Sequence, residues 1–250
     1  MAPASVVEVR AVTVAFGGLR ALRGVDLDIA QGERLAIIGP NGAGKTTLFN
    51  VIAGDITPTT GTVAIKGQDC THRPSRHRPR LGLARTYQKA RAFGGLTVCE
   101  NIYLALAGRR GRHRALWRSS VDHRMRDEAA QVAGQVWLSG QLDAVAGELA
   151  HGQRRQLELA MAIATRPDVL LLDEPASGLS RGERERLVEL LESFGDQLTL
   201  LLIEHDMEVA FRIAGRVVVM ADGEQVMAGS PEQVRADPHV HEIYLGTEAA

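Results

Sequence analysis

An apolar run, Leu35-Ala-Ile-Ile38, leads straight into Gly39-Pro-Asn-Gly-Ala-Gly-Lys-Thr46, and this junction constrains the chain more than any other. Glycines at 39, 42 and 44 let the backbone curl until successive N–H groups point inward. A helix beginning near Lys45 adds the positive end of its dipole to the same hollow. Phosphate oxygens fit there. Gly39, Pro40, Asn41, Gly42, Ala43 and Gly44 form the cradle, Lys45 reaches the β- and γ-phosphates, Thr46 offers its hydroxyl to Mg²⁺, and Thr47 opens an amphipathic stretch to Ala53. Strand, glycine loop and helix in that order predict an α/β fold with a nucleoside triphosphate ligand. The loop alone names no reaction, because kinases, GTPases, helicases and transport ATPases share it.

Periodicity organises the rest. From Val6 to Ile38 apolar residues alternate, as at Val25, Leu27 and Ile29, which predicts strands packed on one face. Gly61–Gly67 continues this after the turn-rich Asp55–Thr60, so the first third is β-rich with one helix, Lys45–Ala53. Between Thr97 and Thr165 helical spacing takes over: Met125, Ala129, Val132 and Val136 share a face. Val169–Asp173 and Leu198–Ile203 are continuous apolar runs, the signature of parallel strands covered on both faces. A helix over Arg181–Phe194 joins them, with Leu187, Leu190, Leu191 and Phe194 inward. The tail, Val217 to Gly246, predicts two short strands and one small helix after Pro231. With one phosphate loop and no repeat, residues 1–250 read as a single unit. Residues 1–90 and 166–250 form its core and β-rich part, and residues 91–165 a helical insertion.

Composition narrows the function classes. A hydrophobic share of 45% and a formal charge of −1 describe an ordinary globular chain and argue against a strongly basic nucleic-acid binder. Cys70 and Cys99 lack metal-ligand spacing and read as reduced thiols. The first residues have no basic start or apolar centre of a secretion signal, and the longest apolar runs are too short to span a bilayer. Work at a membrane would therefore be peripheral.

Further residues carry chemistry. Asp173-Glu174 closes an apolar strand beside the phosphate loop, where ligands of open α/β sheets bind. Asp173 there can hold Mg²⁺, and Glu174 can polarise an attacking water. His205 ends the next strand, across the same edge. Gln88, in Arg85-Thr-Tyr-Gln88, stands at the entrance to the helical insertion, where its amide can reach metal and water. Leu149-Ala-His-Gly-Gln153 precedes a helix predicted over Arg154–Ala164, a second glycine-marked helix start suited to an anion.

This ordered set resembles the ATP-binding cassette (ABC) ATPases, from Phe16 to Tyr244. The resemblance implies a RecA-like P-loop core, an antiparallel β subdomain and an inserted α-helical subdomain. It matches Phe16 to the aromatic that stacks on adenine, although a core aromatic on a strand is an equal reading of that residue. Gly39–Thr46 matches the Walker A loop, Gln88 the Q-loop, Leu149–Gln153 the signature motif and Asp173 the Walker B aspartate. Glu174 matches the catalytic glutamate, Ser177–Ser180 the D-loop and His205 the switch histidine. By that analogy Glu174, His205 and Gln88 are catalytic, Thr46, Gln88 and Asp173 hold Mg²⁺, and Leu149, Ala150, His151, Gly152 and Gln153 contact ATP in trans within a head-to-tail dimer.

Two motifs depart from the family pattern. Ala150 and His151 stand where the signature has serine and glycine, so a hydroxyl contact of about 0.5–1.5 kcal/mol is missing. Ser180 replaces the D-loop aspartate. Three stretches, Leu83–Gln88 with Leu96–Asn101, Leu202–Met207, and Gly229–Val234 with Ile243–Gly246, look like the ATPases of importers for branched-chain amino acids, amides and urea. The lipopolysaccharide-export ATPase has a similar outline, and soluble cassette proteins acting on nucleic acid or ribosomes are the other alternative. An importer implies permease subunits, a second ATPase subunit, an external substrate-binding protein, no nucleic acid, and a place on the cytoplasmic face of the inner membrane. Arginine-rich stretches at 73–91 and 109–118 read either as solvated faces or as contacts to membrane-domain loops or anionic lipid.

Overall fold

Apolar strands that alternate cannot all face one core, and this chain resolves them into two sheets. The computed structural model describes residues 5–86, 92–109, 120–195 and 198–245. β1 (Ser5–Phe16) and β2 (Leu19–Ala30) form a long antiparallel hairpin. β4 (Thr60–Ile65) and the short β5 (Gln68–Asp69) extend it into a four-stranded sheet of order β2-β1-β4-β5. The second sheet has six strands. It runs β10-β9-β3-β8-β7-β6, from β3 (Arg34–Ile38), β6 (Leu83–Arg85), β7 (Val169–Asp173), β8 (Thr199–Ile203), β9 (Arg216–Ala221) and β10 (Glu224–Gly229). Neighbours from β9 through β6 pair in parallel, and only β10 turns back.

The central strands feed two cores because successive side chains point to opposite faces. Ala36, Ile38, Leu170, Leu172, Leu200 and Leu202 join the apolar cluster under the helices. Their neighbours Leu35, Ile37, Val169, Leu171, Leu201 and Ile203 join the cluster shared with β1, β2 and β4. Both faces are covered, as the continuous apolar runs predict.

Helices fill the remaining layers. α1 (Lys45–Ala53) buries Leu48, Phe49, Val51 and Ile52 and ends at Gly54. α2 (Val98–Arg109), α3 (Ser120–Gln135) and α4 (His151–Ala164) pack on one another, with Met125, Ala129, Val132 and Val136 buried as their spacing requires. α5 (Arg181–Ser193) turns Leu187, Leu190 and Leu191 inward. α6 (Met207–Ile213) starts on Asp206, whose Oδ1 accepts from the Glu208 and Val209 amides.

Two element boundaries differ from the sequence reading. α4 begins at His151 rather than Arg154, because the Gln153 side chain accepts the Ala150 amide at 3.1 Å and closes the first turn early. The tail holds two helices, α7 (Pro231–Ala236) and α8 (Pro238–Leu245). Asp237 caps the second, taking the His239 and Val240 amides, a start signal overlooked beside Pro231. Among the described residues, no helix is long and apolar enough to cross a membrane.

Candidate functional site

The parallel order β3-β8-β7-β6 brings the carboxyl ends of these strands side by side, and the candidate residues leave the sheet there. After β3 the chain bends through Gly39, at φ +146°, where a Cβ would lie 2.1 Å from the Met220 carbonyl oxygen. Gly44, at φ +94°, is the N-cap of α1 and supplies no side-chain cap, so the helix's first amides keep their donors for another acceptor. Lys45 is buried, and its Nζ donates to the Gly39 and Pro40 carbonyls at 2.6 and 2.8 Å. Burial pushes this amine down, and the facing charge of Glu174 opposes the shift. Thr46, Asn41 and Gly42 are exposed, with Thr47 half-buried behind them. From the tail, α8 brings Tyr244 against the Gly39 backbone, and burial pushes its phenol up to about 12.

The carboxylates at the end of β7 break local rules. Asp173 is 3% exposed, and its Oδ1 has no hydrogen-bond partner among the described residues. Burial pushes its carboxyl up, against the attraction of Arg85. A buried carboxylate oxygen without a donor is costly unless a cation completes it. With the exposed Thr46 hydroxyl in the first turn of α1, which follows β3 one strand beyond β8, the donor set is all hard oxygen and fits Mg²⁺. Glu174 sits at φ +46°, a left-handed backbone costing a non-glycine residue about 1–2 kcal/mol. Its amide donates to the Ile203 carbonyl at 2.9 Å, which re-aims the side chain out of the strand and toward Lys45.

At the end of β8 stands Glu204, wholly buried, followed by the exposed His205. Gln88 lies outside the described residues. Thr86, two positions earlier, donates its amide to the Leu171 carbonyl at 2.9 Å and so runs alongside β7. Phe16 is 52% exposed at the tip of the β1–β2 hairpin, which overturns the core reading of this residue.

Leu149, Ala150, His151, Gly152 and Gln153 gather around α5 instead. Leu149 is buried, Ala150 is the N-cap of α4, and the His151 ring approaches Gly178. A Cβ at Gly152 would lie 2.6 Å from Glu183 Oε1. Glu183 also accepts the Ser180 amide at 2.9 Å and its hydroxyl at 2.7 Å; these bonds, then the Gly152 amide, hold its carboxyl below the usual range. Ser180 thus caps α5, and an aspartate there would set a second carboxylate against Glu183. The sequence reading passes over two carboxylates, Glu183 and Glu204. The first was legible in the capping box Ser180-Arg-Gly-Glu183, the second only as an acid ending an apolar strand.

Known proteins resemble this chain in sequence and fold. The family described as ABC transporter matches residues 22–177, and the family described as branched-chain amino acid ATP-binding cassette transporter matches residues 228–250. The high-affinity branched-chain amino acid transport ATP-binding protein BraF of Pseudomonas aeruginosa is 38% identical over 96% of this chain and 98% of its own. A solved ATP-binding cassette of an ABC transporter in its ADP conformation is 28% identical, with TM-score 0.85, over 97% of this chain and 99% of that one. A dimeric ATP-binding cassette in a post-hydrolysis state, bound to ADP and Pi, is 26% identical, with TM-score 0.76, over 90% and 98% of the two chains. The chain therefore belongs to the ABC transporter family, as an ATP-binding subunit close to those of branched-chain amino acid transport.

Proposed function

We propose that the chain hydrolyses ATP as the peripheral motor of an importer for branched-chain amino acids or related amides and urea. One observation carries the chemistry: Lys45, Asp173 and Glu174 converge on a single sheet edge, with Asp173 Oδ1 buried and lacking a donor among the described residues. The match of the tail and the likeness to BraF support the substrate class.

In this reading Gly39, Pro40, Asn41, Gly42, Ala43, Gly44, Lys45, Thr46 and Thr47 hold the triphosphate, and Phe16 stacks on adenine. Thr46, Asp173 and Gln88 would hold Mg²⁺, which when bound would supply charge neutralisation for the triphosphate. Glu174 takes a proton from the attacking water as its oxygen bonds to the γ-phosphorus and the bond to the ADP oxygen breaks. His205 steadies the γ-phosphate. Lys45 and the α1 amides stabilise the spreading charge, and such positioning provides most of the acceleration.

A second subunit, facing the first head to tail, supplies Leu149–Gln153, and the dimeric relative supports pairing of two cassettes. ATP closes the dimer, and losing the γ-phosphate removes the contact that favours closure. Residues 1–90 and 166–250 act as the core, and residues 91–165 as the arm carrying the signature turn. Between them runs a groove lined by Ala84, Thr86, Ala92, Ala105, Met161 and Thr165, an apolar surface suited to a permease segment on the cytoplasmic side of the membrane.

The test is reconstitution with the co-purifying permeases, a second ATPase subunit and an external binding protein. Mg-ATP hydrolysis should rise when the binding protein carries leucine, an amide or urea. Retention on nucleic acid or ribosomes, with no permease bound, overturns the importer reading.

A further inference from the structure

A wholly buried carboxylate needs a reason, and Glu204 has one on each oxygen. Its Oε1 accepts the Ala176 amide at 2.9 Å, and its Oε2 accepts the His205 amide at 3.2 Å. Ala176 is itself buried and lies two residues beyond Glu174. Oε2 also stands 3.8 Å from His205 Nδ1. A reciprocal bond completes the link, since the Glu174 amide donates to the Ile203 carbonyl one residue before Glu204. The ends of β7 and β8 are thus stitched twice beyond their regular pairing, once through backbone and once through this side chain.

We propose that Glu204 is a positioning residue that fixes the loop bearing His205 to the loop bearing Glu174, so that the two side chains keep one mutual orientation. This rests on the reading of those residues as the hydrolytic pair. An apolar side chain would fill the same space and continue the strand's pattern, but it would leave the Ala176 amide buried without an acceptor. Two acceptors on one short, rigidly placed carboxylate serve two loops together, which one backbone carbonyl at that point would not.

The test uses the full chain with Mg-ATP and the variant Glu204→Gln. Its amide offers one acceptor and one donor group, so one of the two amides loses its bond. We expect kcat to fall about 10-fold with KM for ATP within about twofold, because binding is left intact while the pair is misaligned, and Tm to fall by a few degrees because one amide loses its acceptor. A folded variant with wild-type kcat overturns the proposal. Amide hydrogen exchange on the unaltered chain decides the matter if the variant does not fold. The Ala176 and His205 amides should be slow and open together, whereas independent rates overturn the link. An unaltered chain with no ATPase activity in its complete assembly would refute the hydrolysis reading, while the exchange experiment still judges the stitch.

Discussion

The carboxyl edge of the six-stranded sheet and the first turn of α4 both present backbone donors, yet they treat their polar groups in opposite ways. At the sheet edge Asp173 keeps an oxygen without a donor among the described residues, Glu174 holds a left-handed backbone, and Lys45 is buried on two carbonyls. Around the α4 turn local partners are in place: Gln153 takes the Ala150 amide, and Glu183 takes Ser180 and faces Gly152. Strain retained on one side marks where a ligand must complete the structure. Completeness on the other explains how the turn absorbs Ala150 and His151 and keeps its shape.

The largest test of this contrast is Glu174→Gln. Turnover should fall about 10²–10⁴-fold with Mg-ATP affinity nearly unchanged, read by phosphate release and equilibrium binding. A normal rate would remove Glu174 from the chemistry. Next comes a pair of glycines. Gly39→Ala drives a Cβ onto the Met220 backbone at 2.1 Å in a left-handed conformation, and should cost about 2–4 kcal/mol in denaturant unfolding. Gly152→Ala meets only the Glu183 side chain, which can give way by loosening its Ser180 bonds, and should cost about 1 kcal/mol. Equal losses would erase the distinction between the regions.

Smaller effects sharpen it. Ala150→Ser restores a side-chain cap and should stabilise the chain by about 0.5–1 kcal/mol, seen as a raised Tm, while ATP turnover moves only a few-fold. Glu158, on α4 and paired with Arg155 at 3.1 Å, has its carboxyl pushed up by burial despite that partner. A folded value above the ordinary one of about 4.3 means the folded chain holds the proton longer. Its contribution is therefore full below that value and is lost as pH rises through the folded one. Unfolding measured across this mildly acidic window should contain a shallow downward component that Glu158→Gln removes, leaving the share of the likewise raised Asp173 and Glu204.

Legibility followed the physics of each residue. The phosphate loop, β7, β8 and the α3 face were readable because continuous or periodic apolar patterns have one stable packing each. The start of α4 was misplaced because the bond that sets it, Gln153 to Ala150, belongs to a side chain that also fits a loop. Phe16 stayed ambiguous because strand alternation does not say which side of a hairpin tip is covered. Glu204 was invisible as a site residue: its partner Ala176 is 28 positions away, and only the adjacency of β7 and β8 brings them together.

The alternation within β3, β7 and β8 has a last consequence. Each of these strands lends every second residue to one oily layer and the rest to the other, so neither layer can melt alone without stripping its neighbour. Heat should take both sheets apart in one step, and a lesion beside the N-terminal hairpin should be felt beneath α5 as a loss of the common scaffold.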